Sequence, residues 1–139
     1  MARKTARQVA MQLLYQYELG GEGIGSTIEE SMEKPELDQD DRKYIEDVVL
    51  GVLEKQDQLD ERIASHAIGW SLERIAKVNL SILRLALFEM MFRQDIPESV
   101  SINEAIDLAH TYSTPEDASF INGVLGAASR AGVPSDQGV

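Results

Sequence analysis

The residues best placed to do chemistry lie near the start of the chain. Arg3, Lys4 and Arg7 are the only charged side chains before Glu18. Arg3 and Arg7 are spaced i, i+4 and Lys4 stands one turn before Gln8, so a helix would carry all three cations on one outer edge. Gln12 and Tyr15 continue along that side, away from the Val9/Leu13 stripe. Cations for a phosphate backbone, a ring for stacking and amides for base edges are what single-stranded RNA needs. A plainer reading is that basic groups near a chain start only aid solubility, and spacing leaves the two readings even.

Enzyme signatures are scarce. His66 and His110 stand 44 residues apart and neither has the HExxH spacing of a metal site. Ser65 adjoins His66 in sequence, but a catalytic triad is a spatial arrangement with an orienting acid. The glycines from Gly20 to Gly25 contain GxG, yet they follow a helical pattern and lack the Lys-Ser/Thr of a phosphate loop, so an inter-helix loop is expected. Nine acids against three bases between Glu29 and Asp47 do not match a calcium loop and read as a solvated face.

Composition sets the limits around these residues. The chain has 139 residues, enough for one domain with its own core. It has no cysteine, which excludes disulfides and thiolate chemistry and fits a reducing cytoplasm. No unbroken apolar segment follows the basic start, and the Ile82–Phe92 stretch is interrupted by Arg84 and Glu89, so neither a leader nor a membrane span is expected. The formal net charge is −11, apparently adverse to nucleic acid. That charge is uneven: the first 17 residues carry +3 and the remainder −14. A small basic edge can therefore meet RNA while the acidic body stays clear, since repulsion is screened over about 8 Å at physiological salt.

The elements that must position these groups are helices. Ala6, Val9, Ala10, Leu13, Leu14 and Tyr17 form one stripe, closed by Gly20-Gly21. Ser26 and Glu29 read as a capping box for a short second helix ending near Lys34-Pro35. Asp38 caps a long third helix with Ile45, Val48, Val49, Val52, Leu59 and Ile63 inward. Gly51 within it marks a close helix crossing or a bend. Gly69-Trp70-Ser71 breaks the pattern and divides two helical lobes, about 1–69 and 70–131. Ser71 caps a short helix through Ile75. Another spans about Lys77–Arg93, with Val78, Ile82, Leu85, Phe88 and Phe92 inward. Ser101 and Glu104 form a second capping box, opening a helix with Ile102, Ala105, Ile106 and Ala109 on one face. Thr114, Pro115 and the acids after them open the last helix, which buries Ile121, Val124, Leu125 and Ala128. Residues 132–139 are expected to fray. The expected fold is all-α, about seven helices in two packed lobes of a single domain.

Several segments of the chain resemble the NusB family of bacterial transcription antitermination factors. They are Arg3-Lys4-Thr5-Ala6-Arg7 leading to Ala10-Met11-Gln12-Leu13-Leu14-Tyr15, then Leu83-Arg84-Leu85-Ala86-Leu87-Phe88-Glu89 and Ile96-Pro97. Ser101-Ile102-Asn103-Glu104-Ala105-Ile106-Asp107-Leu108-Ala109 and Phe120-Ile121-Asn122-Gly123-Val124-Leu125 complete the set. The likeness runs from about Arg3 to Arg130. It implies a two-lobed helical fold that binds boxA RNA of nascent transcripts, notably of ribosomal RNA operons. It also implies a protein partner, the small-subunit ribosomal protein NusE, and association with the RNA polymerase elongation complex and other Nus factors. It implies no reaction, cofactor or metal.

By position, the resemblance places Arg3, Lys4, Arg7, Gln12, Tyr15, Phe120 and Asn122 at RNA. It places Asn79, Glu116 and Asp117 at the partner and RNA-proximal surface. Arg84 and Glu89, inside an apolar helix, read as internal ion-pair residues, and Phe120 as partly exposed. The basic run is thinner than in some members, and Asn79 stands where others carry an acid. Two other readings compete. One is a purely protein-binding or dimerising helical module, which leaves monomer and homodimer open. The other is a relative of the helical domain joined to ribosomal RNA cytosine methyltransferases, for whose methyl-donor domain 139 residues leave no room.

Overall fold

A computed structural model describes residues 3–20, 29–31 and 33–132. Among them there are six α-helices, a 3₁₀ turn, a helical segment at 29–31, and no strand. The helices are α1 (Arg3–Glu18), α2 (Gln39–Glu54), α3 (Gln56–His66), α4 (Lys77–Phe92), α5 (Glu98–Tyr112) and α6 (Pro115–Arg130), with the 3₁₀ turn at Leu72–Arg74 before α4. The all-α expectation is met. The Ser26 cap, the 21–25 glycine loop and most of the expected tail lie outside the described residues.

Local signals account for three of the helix ends. The Asp38 carboxylate accepts from the Asp41 amide at 2.8 Å while Asp41 reaches back to the Asp38 amide, a reciprocal cap that opens α2. Thr114 accepts from the Asp117 amide at 3.1 Å with Pro115 in the first turn, which opens α6. Replacing Thr114 by Ala is therefore expected to cost about 1 kcal/mol in urea denaturation, with α6 kept. Past α1, Gly20 has φ +90°, a left-handed conformation open to glycine at little cost.

Packing changes other expectations. The long third helix divides at Lys55, which caps the end of α2 with its amide on the Gly51 carbonyl and precedes α3. Gly51 is the close crossing: a Cβ there would lie 2.3 Å from the Phe88 ring of α4. The second expected capping box does not form. α5 starts four residues earlier, after Pro97, and Ser101 and Glu104 face tertiary partners instead. Ser71 precedes the 3₁₀ turn without a side-chain cap bond. Leu108 takes a buried place on α5, while Ile102 and Ile106 are only partly covered; Tyr17 is likewise exposed at the end of α1.

The largest difference is α4. Every residue from Asn79 to Met91 is buried, not one stripe of them. A helix apolar on all sides sits inside the fold, and α4 packs against all five other helices. Its polar residues must consequently find partners in the interior. Arg84 does so with the Asp60 carboxylate, through Nε at 2.8 Å and Nη2 at 2.9 Å, and with Glu18 at 2.8 Å, tying together α1, α3 and α4. Arg84 and Glu89 are both internal ion-pair residues, as expected, but each has partners on other helices.

Candidate RNA and partner interface

The α1 residues separate by depth. Arg7 is buried, 6% exposed, and grips the α4 residue Glu89 with two parallel bonds of 3.0 and 3.1 Å. The Tyr44 hydroxyl also donates to Glu89, as does Ser101 at 2.8 Å. Glu104 lies 3.7 Å from Arg7. Burial pushes the Arg7 guanidinium down, but the Glu89 hydrogen bonds and charge outweigh it and hold Arg7 charged. Burial and Glu89 together push the Tyr44 phenol well up, so it stays a neutral donor. Arg7 is thus not on the exposed edge expected for RNA. The apolar wall around α4 leaves Glu89 no solvent, and a buried carboxylate needs a cation.

Lys4 is the exposed cation. It bonds Asp107 at 2.9 Å and lies 3.5 Å from Glu104, both on α5; these partners raise its pKa, Asp107 foremost. Arg3 is half-buried, its guanidinium 4.4 Å above the Tyr44 ring and 3.9 Å from Asp41. The basic start is therefore locally balanced by carboxylates of α2, α4 and α5. Exposed lysine pairs contribute little to stability and exchange readily, so Lys4 can trade Asp107 for a phosphate while Arg7 cannot leave Glu89. Gln12 is exposed and bonds the Tyr112 hydroxyl at 2.9 Å. Tyr15 is half-buried against the core.

A second set gathers where α4 and α6 begin. Trp70, Arg74, Ile75, Ala76, Asn79, Glu116, Asp117 and Phe120 line an open groove of about 350 Å³. Three residues expected at the partner surface thus share one depression with Phe120. Asn79 is buried at its floor, its side-chain amide 2.9 Å from the Ser113 hydroxyl. Ser113 also lies 2.6 Å from the Asp117 carboxylate. That hydrogen bond, with help from Asn79 and the Thr114 cap, holds the Asp117 carboxyl below the usual carboxylate range. Phe120 is half-buried and meets Trp70 edge to face, ring centres 5.8 Å apart. Asn122 is exposed and does not line the groove. Two residues along a helix is about 200°, so it points away from Phe120. Gly123 beside it has open space where a Cβ would go, which excludes close helix packing there.

The two sets are joined. Tyr112 bonds Gln12 of α1, and the next residue, Ser113, bonds Asn79 and Asp117 in the groove. A chain of hydrogen bonds therefore links Gln12 of α1, through Tyr112 and Ser113 at the α5–α6 corner, to Asn79 and Asp117 of the groove. Sequence reasoning missed Tyr112, Trp70 and Arg74. Trp70 was legible only as a break in pattern; that it is the sole tryptophan and 51% exposed becomes telling once Phe120 stands beside it. Among the described residues no cluster of three or more His, Asp or Glu is arranged to hold a metal, and no helix is long and apolar enough to cross a membrane.

Comparison with known proteins agrees with this architecture. The NusB family model matches residues 4–130. The transcription antitermination protein NusB of Acetivibrio thermocellus is 48% identical over 126 residues, 91% of this chain and 87% of the relative. T. maritima NusB superposes with a TM-score of 0.87 at 30% identity, over 95% of this chain and 93% of that one. A chain from a crystal structure of antitermination factors NusB and NusE in complex with double-stranded RNA superposes with a TM-score of 0.83 at 28% identity, over 93% and 96%. Sequence and fold agree over almost the whole length, and the chain belongs to the NusB family.

Proposed function

We propose that this chain is a transcription antitermination factor acting in the cytoplasm. It binds boxA-type single-stranded RNA of nascent transcripts together with NusE, and joins the RNA polymerase elongation complex without catalysing a reaction. The observation that carries this reading is the exposed Lys4 and Gln12 on α1, linked by hydrogen bonds to the groove residues Asn79 and Asp117, in a family whose relatives are named for antitermination. The solved complex of antitermination factors NusB and NusE with double-stranded RNA supports RNA and NusE as the two kinds of partner; the single-stranded reading rests on the exposed Gln12 and half-buried Tyr15 of α1. The RNA portion comprises Lys4, Arg3, Gln12 and Tyr15, with Arg7 setting the position of α1 from beneath. Phe120 and Asn122 lie on opposite sides of α6, so RNA meets at most one of them directly.

A boxA RNA titration across a salt series, with and without NusE, tests this. With Arg7 buried, about two cations remain for phosphates. The slope of log K against log salt is then expected near −1.4 for the chain alone, about −0.7 per phosphate contact on a single strand. Lys4→Ala should bring it to about −0.7 with the fold intact. No binding in either condition would exclude the reading, and a slope near −2 would place Arg7 at the RNA.

A further inference from the structure

We propose that the Trp70 groove is a receptor for one cationic side chain, an arginine or lysine of the protein partner, held against the Trp70 ring and the Glu116 and Asp117 carboxylates. The proposal rests on the reading that the chain assembles with NusE, and names the chemical group that the partner presents to Trp70, Glu116 and Asp117. Trp70 has half its surface in solvent, although Trp is the largest apolar side chain, and its neighbour Phe120 supplies a second ring. Indole is the best natural π-surface for a cation, and aromatic walls with carboxylates are the chemistry that holds alkylammonium and guanidinium groups. The volume, about 350 Å³, accommodates a long side chain.

The charges favour the same occupant. Two carboxylates and one cation, Arg74, line the groove. Among the described residues no ion pair joins Arg74 to either acid, and Glu116 is exposed without an ion-pair partner. The carboxylate of Asp117 is oriented by Ser113. The positive end of α6, equivalent to about half a charge, offsets only part of the two acids. A nucleotide could stack on Trp70, but it would bring a phosphate toward Glu116 and Asp117 with Arg74 alone in its favour. The chain's own tail, Val133 to Val139, carries no Lys or Arg.

Because Trp70 is the only tryptophan, a 5-fluorotryptophan label gives one ¹⁹F resonance that reports on the groove alone. NusE without RNA should shift that resonance, and boxA RNA without NusE should not. In calorimetry Trp70→Leu is expected to weaken NusE binding about tenfold, Trp70→Phe less, and Glu116→Gln about threefold. Arg74→Ala, which removes a competing cation, should leave affinity equal or tighter. RNA binding by the NusE-free variants should match that of the parent. Unchanged NusE affinity in Trp70→Leu overturns the proposal. So does loss of NusE-free RNA binding in Trp70→Leu and Arg74→Ala, which would make the occupant a nucleotide. A resonance that moves with protein concentration alone would make it a second copy of the chain. If the parent chain fails to bind NusE at all, the assembly reading falls and takes this proposal with it.

Discussion

Glu89→Gln is expected to cost about 3–5 kcal/mol of folding stability, the largest single-residue effect in this molecule. The substitution nearly preserves volume, but Tyr44 and Ser101 donate to different Glu89 oxygens, so the single amide oxygen keeps only one of those bonds. It also removes the charge opposite Arg7, which is 6% exposed and has its two shortest bonds to Glu89. Glu104, at 3.7 Å and nearer the surface, is a poor substitute. Domains of this size are stable by about 5–15 kcal/mol, so at least about a fifth of the total is at risk. Guanidinium denaturation of the variant measures it. Arg7→Met should be similarly costly, whereas Arg7→Met with Glu89→Leu should recover most of the loss, because an apolar pair leaves no buried charge unpaired. A cost under 1 kcal/mol for Glu89→Gln would mean that water reaches the pair. The same burial makes Arg7→Ala a poor probe of RNA contact: lost RNA binding there would reflect a displaced α1.

Gly51→Val comes second, at about 3 kcal/mol. A Cβ at residue 51 would stand 2.3 and 2.4 Å from two atoms of the Phe88 ring, well inside contact distance. Phe88 is 6% exposed and packs on Phe92 with ring centres 5.3 Å apart, so the ring has little room to withdraw. Overpacking of this kind costs about 1–3 kcal/mol, and the β-branch adds a small helix penalty. Gly51→Ala is milder because alanine returns about 1 kcal/mol of helix propensity. In a Phe88→Leu background that propensity should dominate, so Gly51→Ala becomes stabilising. A reversal of sign between the two backgrounds, read as urea midpoints, identifies the α2–α4 crossing as the cause; the same sign in both would exclude it.

Much of the helical outline can be read directly from residues. Asp38 and Asp41, Thr114 with Pro115, and Gly20 carry their geometry in their own side chains or lack of one, and each acts where sequence places it. Ile121, Val124, Leu125 and Ala128 are inward because their neighbours on α6 leave one apolar stripe. Ser101 and Glu104 show the opposite case. The pair satisfies a local capping pattern, yet Ser101 turns to Glu89, and Glu104 to Lys4 and Arg7, because buried charges outbid a surface cap. Gly51 shows an intermediate one: sequence marked it as unusual, and only the approach of Phe88 decided between a crossing and a bend.

The chemistry divides along the same line. Sequence by itself determined which side chains occur at helical spacing, and so the helices, their caps and the NusB likeness; these depend on neighbours within one or two turns. It also placed three cations at the chain start. It could not say that Lys4 would remain exposed while Arg7 became the counterion of Glu89, since that depends on a helix 82 residues away. Nor could it bring Trp70, Asn79, Asp117 and Phe120 into one groove, or turn Asn122 away from it. Charge and stacking act through distance in space, and α4, buried on every side, sets those distances by gathering the other five helices around it.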